Sequence, residues 1–224
     1  MRREVSITLL ALLIGLAVPA SSSAAWGPRS TDKSARQPLA PAQAAAFEQA
    51  MLHFNRKEYA QAIPYFDEAI RLQPGFAVAL AQRGFAHIEL GEFADGVSDH
   101  DAVLRLASDS PNAFANSCWA RAAAGADLDL ALDLCNRSLE MQPSLAGFDM
   151  RGFVHFRRGE FREAIKDYDA SIRIRSSGSS YFMRGVCKAR LGQADQGLAD
   201  IRIAMKKDPG VRDQYRRLGV EAPA

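Results

Sequence analysis

The chain has 224 residues, with 28 Lys+Arg against 26 Asp+Glu and a formal net charge of +2. So even a balance gives no general pull toward nucleic acid or an anionic lipid surface, which removes the electrostatic partners from consideration. Hydrophobic residues make up 48% of the chain, enough for a buried core.

The first segment reads as an address. Arg2 and Arg3 precede an apolar stretch from Leu9 to Val18, and small residues follow at Ala20, Ser21 to Ser23, Ala24 and Ala25. That is the charged, apolar and small-residue layout of a secretory signal peptide over residues 1–25, with cleavage expected near Ala20 or Ala25. The apolar stretch is short of the ~20 residues that span a bilayer, although an uncleaved anchor remains the rival reading and would be the chain's one membrane contact. The expected destination is a bacterial periplasm or the exterior. Loss of this segment removes two Arg and one Glu, so the charge balance hardly moves. Residues 26–42 carry Pro28, Pro38 and Pro41 among polar neighbours with little to bury, and read as a disordered tether.

From residue 43 the chain repeats itself. Arg83-Gly84-Phe85-Ala86-His87 returns as Arg151-Gly152-Phe153-Val154-His155, 68 residues later, and each copy runs into Gly-Glu-Phe (Gly91-Glu92-Phe93, Gly159-Glu160-Phe161). A partial copy, Arg184-Gly185 with Leu191-Gly192, follows at 33. Five units of about 34 residues result, 43–76, 77–110, 111–144, 145–177 and 178–208, each reading as two Ala-rich amphipathic helices. Ser110-Pro111 opens the third unit as an N-cap followed by proline at the first helical position. Small residues recur in the first helix (Ala50, Gly84, Cys118, Gly152, Gly185) and in the second (Ala62, Gly96, Ala131, Ala164, Gly197). The third unit's turn, Gly125-Ala126-Asp127-Leu128, is one residue longer than the others. Beyond the array, residues 209–224 hold Val211, Tyr215 and Leu218 at i, i+4, i+7, backed by Arg212, Asp213, Arg216 and Arg217 and stopped by Gly219. This is the pattern of a short capping helix that solvates the last repeat.

Period, small crossing residues and terminal prolines together resemble the tetratricopeptide repeat family over residues 43–208. The resemblance implies an all-α, right-handed α-solenoid of about five helix-turn-helix repeats plus the capping helix. It also implies a protein-interaction scaffold that needs no cofactor. The reason repeats stack is physical: each helix pair has an apolar face that only a neighbouring pair can bury.

Several residues take duties from the period. Arg83, Arg151 and Arg184 are each followed sixteen residues later by Asp99, Asp167 and Asp200. Constant spacing pairs every such arginine with a carboxylate, so structural ion pairs are expected, the alternative being a row of anion-binding arginines. His53, His87 and His155 share one repeat position, and equivalent positions lie at least ~8–10 Å apart against metal–nitrogen bonds of ~2.0–2.1 Å. They are expected to fill an aromatic slot rather than converge on a metal, and His100 is read the same way beside Phe66 and Tyr168. Cys118 and Cys135 fall on facing helices of unit three, where an oxidising compartment would favour a disulfide over two inert thiols; Cys187 is left over.

The catalytic patterns sought, a zinc-binding His pair, a Gly-rich phosphate loop or a nucleophile elbow, do not occur. A protein or peptide partner is therefore the expectation. The family's register places Met51, Phe54, Phe85, Ile88, Trp119, Phe153, Phe156 and Arg190 on the inner wall, with Phe182 and Val186 beside them. This stripe divides between two readings, repeat-to-repeat core and a groove for an apolar or helical segment of a partner. A self-assembling structural role would use the same surface.

Overall fold

The computed structural model describes residues 39–223, so the expected export segment and most of the expected tether lie outside the described residues. Within them eleven α-helices follow one another, and no strand occurs among the described residues. They are α1 (Pro41–Asn55), α2 (Tyr59–Leu72), α3 (Ala77–Leu90), α4 (Phe93–Leu106), α5 (Pro111–Ala124), α6 (Leu128–Met141), α7 (Leu145–Arg157), α8 (Phe161–Ile174), α9 (Gly178–Arg190), α10 (Ala194–Lys207) and α11 (Val211–Arg217). The odd-numbered helices through α9 are the A helices of five repeats and the even-numbered ones the B helices. Each A helix packs on its own B helix, and each B helix on the A helix that follows. The fold is an all-α helical-repeat solenoid. None of the described helices is long and apolar enough to cross a membrane.

Local chemistry sets the helix ends. Helix α1 starts at Pro41, two residues before the expected unit, because proline at the first helical position has no N–H to leave unsatisfied. The hydroxyls of Ser110, Ser144 and Ser177 accept from the backbone N–H groups of Ala113, Gly147 and Ser180, capping α5, α7 and α9. The extra residue in the third repeat's turn is absorbed by two left-handed residues, Gly125 (φ 67°) and Asp127 (φ 48°). Gly91 and Gly159 reverse the chain alone at φ 81° and 78°.

The small residues sit where the helices cross. A methyl group on Gly185 would stand 2.7 Å from the Gly197 carbonyl oxygen, and one on Gly197 would stand 2.6 Å from that of Gly185. Gly84 and Gly96 face each other in the same way, and Gly152 lies against the Tyr168 ring. Ile88 belongs to this crossing rather than to an open groove. Its side chain covers Gly96, and the residue is 2% exposed. The physical reason is that Gly96 has no side chain, and the Ile88 side chain fills the space left there.

Helix α11 is the expected capping helix, its apolar side buried and Asp213, Arg216 and Arg217 exposed. It turns onto the A-helix face, where Val211, Tyr215, Leu218 and Val220 are buried in the main core with Phe153, Phe182 and Val186. Covering that aromatic face is favourable, since apolar area removed from water is worth roughly 25 cal/mol per Å².

A candidate interaction surface on the A-helix face

The arginine of each near-copy forms a two-pronged bond to its aspartate. Arg83 donates through Nε and Nη2 to Asp99 at 2.8 and 2.6 Å, Arg151 to Asp167 at 2.9 and 2.6 Å, and Arg184 to Asp200 at 2.8 and 2.7 Å. The remaining Nη1 of each reaches the preceding repeat: Asp67 at 2.6 Å, Asn136 at 3.0 Å and Asp169 at 2.6 Å. One guanidinium thus ties an A helix to two B helices, a geometry that its planar fork makes available and a lysine does not. The third repeat has Ser117 at this position. There Arg121, one helical turn later, takes over with bonds of 2.7 and 2.8 Å to Asp101, and Ser117 donates to the same carboxylate at 2.7 Å. With their charges consumed in pairs, these arginines offer no anion-binding row.

The histidines of the repeat motif have a local partner that the sequence reading missed. Nδ1 of His53, His87 and His155 meets the carboxylates of Glu58, Glu92 and Glu160 at 2.8, 2.6 and 2.6 Å. Each pair closes the A-to-B turn. The recurring His…Glu spacing of five was visible in the sequence and could have been found by asking which residues repeat together. His87, Glu92 and Asp95 come within 4.8 Å of one another, but the carboxylates are exposed and the imidazole nitrogen already has a partner, so no metal site is assigned.

The wall residues divide. Met51 is half-buried in the first repeat's own core with Phe47 and Phe66, and Arg190 is exposed at the end of α9; neither joins the others. Phe54 packs on Tyr59 and Phe85 with ring centroids 5.5 and 5.6 Å apart, and Phe85 stacks on Trp119 at 5.4 Å. Phe153 stacks on Phe156 at 6.1 Å, and Phe156 continues to Phe161 at 5.8 Å. An aromatic row therefore runs across repeats one to three and a second aromatic cluster stands in repeat four, but much of both is covered. Phe85 and Phe153 are 6% and 3% exposed, and α11 lies over the latter. Trp119 and Phe156 keep partial exposure. Phe182 and Val186 are completely buried, with Phe182 stacked on Tyr215 at 5.4 Å.

Between the wall and α11 remains a cavity of about 50 Å³. Its apolar sides come from Phe85, Trp119, Phe153 and Tyr215, and its polar groups from Glu89, His100, Asn116, Asp149 and Gln214. His100, expected to fill an aromatic slot, does pack edge-on against Trp119 at 6.1 Å, yet neither ring nitrogen has a partner among the described residues. Burial lowers its pKa to about 4, leaving it neutral near neutral pH. Asp149 receives a hydrogen bond from Ser180 at 2.8 Å on one oxygen while the other is buried and unpartnered. Burial raises this carboxyl to about 6, against the pull of its serine hydrogen bonds. Burial likewise raises Glu89, whose carboxylate lies 3.5 Å from Arg217 of α11. Asp149 and Gln214 carried no sequence signal, because only a non-local fold brings them together. Cys118 and Cys135 lie sulfur to sulfur with Cα atoms 5.5 Å apart, and Cys187 is buried alone.

The comparisons agree with this architecture. Residues 43–76 match the tetratricopeptide repeat family model. Among curated proteins, the Hsp70-Hsp90 organizing protein of Triticum aestivum is 22% identical over 204 residues, covering 74% of this chain and 35% of that protein. Protein FlbA of Caulobacter vibrioides is 38% identical over 68 residues, or 30% of this chain and 11% of that one. The chain thus spans about a third or less of these relatives' length. Among solved structures, a thermophilic tetratricopeptide protein of Thermus thermophilus superposes with a TM-score of 0.68 at 15% identity, covering 79% of this chain and 97% of that one. MamA from Desulfovibrio magneticus RS-1 superposes with a TM-score of 0.60 at 15% identity, covering 77% and 98%. At such identities the two structures share the fold alone.

Proposed function

We propose that this chain, whose residues 43–76 match the tetratricopeptide repeat family model and whose fold is a helical-repeat solenoid, is an exported protein-interaction scaffold of a bacterial cell envelope whose A-helix face takes an apolar or helical segment of a partner. The observation that carries the reading is on that face itself, where a helix already sits: α11 lays Tyr215 between Phe153 and Phe182. A surface able to seat one amphipathic helix has the shape and apolar chemistry to seat another. The names of two relatives, the Hsp70-Hsp90 organizing protein and a tetratricopeptide repeat and J domain-containing co-chaperone of Fusarium oxysporum, support a partner-holding role.

Export is supported by the layout of residues 1–25, and it gives Cys118 and Cys135 a compartment in which they would be bonded. No enzymatic role is proposed. The hydroxyl that donates to Asp149, that of Ser180, is completely buried and is not part of the cavity lining, and His100 has no hydrogen-bond partner among the described residues to relay a proton to.

The test is cross-linking in envelope extract with the wild-type chain and with Trp119→Ala and Phe156→Ala, both at partly exposed positions of that face. A specific partner lost from both variants supports the surface, whereas undiminished capture by both sinks it. The self-assembling alternative draws on a second feature. Leu72, Leu106, Met141 and Ile174 end successive B helices and are 40–54% exposed, one per repeat. Light scattering decides it, since a monomer whose mass does not change with concentration excludes assembly.

A further inference from the structure

Helix α11 has the contacts of a ligand rather than of a repeat. It leaves α10 through Asp208, Pro209 and Gly210, the last two exposed, and then crosses the A-helix face. Its apolar side is completely seated: Val211 is 0% and Val220 1% exposed, and Tyr215 meets Phe182 and Phe153. Arg157 of α7 donates to the Leu218 carbonyl at 3.3 Å. Arg217 reaches back to Glu89 of α3, in the second repeat. Such a reach does not occur between stacked neighbours.

The seat is imperfect, and the imperfection has a chemistry. The cavity beneath α11 is large enough for a few water molecules, since one needs roughly 10–15 Å³. Gln214 of α11 lines this cavity together with Glu89 and Asp149, and it makes no hydrogen bond to either. A buried carboxylate oxygen without a donor is costly, so a side chain that supplied one would bind in preference.

Resting on the interaction reading above, we propose that α11 is a resident stand-in for the partner. The A-helix face takes an amphipathic helix bearing large apolar residues at the Tyr215 and Leu218 seats, an arginine at the Arg217 seat facing Glu89, and, in place of Gln214, an arginine or lysine that reaches into the cavity toward Asp149. That helix displaces α11. A second copy is the weaker occupant, because its own α11 would bring the same glutamine and leave the same void. The tethered helix would also outcompete it at the millimolar effective concentration a short linker gives.

The test uses the full chain and two labelled peptides, one with this chain's residues 209–222 and one identical except for Gln214→Arg. The Gln214→Arg peptide is expected to bind the wild-type chain at least tenfold more tightly than the unmodified one, and Asp149→Asn in the protein to erase that difference. Loosening the resident helix by Tyr215→Ser is expected to tighten both peptides at least tenfold. Arg217→Ser, at a half-exposed position that will not unfold the chain, is expected to tighten them about threefold. Equal binding of the two peptides, or no gain in either loosened chain, overturns the proposal. So does a wild-type dimer in light scattering that Tyr215→Ser abolishes, since it assigns the face to a second copy. If the peptides fail while Trp119→Ala still loses its envelope partner, the surface stands and only the stand-in role falls.

Discussion

Arg184 and Asp169 join two repeats across their seam, with Nη1 of the arginine 2.6 Å from the aspartate, while the same guanidinium grips Asp200 inside its own repeat. The two halves of this contact differ in worth. Asp169 is 40% exposed on its side chain, so its pair is screened, whereas Asp200 is 7% exposed. Burial would raise the Asp200 pKa, but hydrogen bonds from Arg184 and Lys188 hold it below the usual carboxylate range. Its contribution is therefore present above the unfolded value of ~3.9 and lost as the pH falls. Arg184→Met should cost about 2–4 kcal/mol by leaving the buried Asp200 with Lys188 as its one remaining cationic partner, and Asp169→Asn about 0.5 kcal/mol. Urea unfolding at neutral pH measures both, and equal losses would contradict the division.

The cavity's two titrating groups should oppose each other with pH. Asp149 sits at about 6 in the fold against ~3.9 unfolded, so its stabilising protonation is full below pH ~4 and lost as the pH rises through about 6. His100 sits at about 4 against ~6.5 unfolded, so its contribution is full above pH ~6.5 and lost as the pH falls through about 4. Relative to wild type, Asp149→Asn should gain stability as the pH rises from 4 to 6, by roughly 1–3 kcal/mol at the top. His100→Phe should gain as the pH falls over the same range. Thermal unfolding at pH 4, 5, 6 and 7 reads both slopes; curves parallel to wild type would show that neither group is buried as described.

Gly185→Ala is expected to cost about 2–4 kcal/mol, because its methyl would lie 2.7 Å from a backbone oxygen and the helices must part. Gly152→Ala meets the Tyr168 ring at 3.0 Å and should cost less, since a ring edge yields more than backbone. Reversal of that order in denaturant melts would refute the crossing argument.

Mass spectrometry of unreduced, exported protein should find Cys118 and Cys135 closed to alkylation. Burial raises the Cys187 thiol to about 12, so it should react only after denaturation. Reduction should then cost about 3 kcal/mol, the magnitude for a closed loop of some fifteen residues. A purified chain that takes up three alkyl groups on denaturation without reductant would overturn the pairing.

What the amino-acid sequence determined by itself was everything that repeats. The period, the paired helices, the small residues at each crossing and the sixteen-residue Arg…Asp spacing are written once per unit, because stacking makes every unit meet the same neighbour. Where a unit departs from the rule, as at Ser117, the substitute also lies close in sequence, at Arg121. The candidate surface was only partly legible. Phe54, Phe85 and Trp119 lie in one row and Phe153 and Phe156 in a second cluster, but the same apolar spacing marks core and groove alike, and Ile88 and Met51 went to the core. Tertiary structure alone decided the rest. Only the tertiary packing of α11 on the A-helix face brings it within reach of Glu89, buries Tyr215 on Phe182, and gathers His100, Asp149 and Gln214 around one cavity. Those contacts join residues of unlike repeats, so no periodicity could announce them.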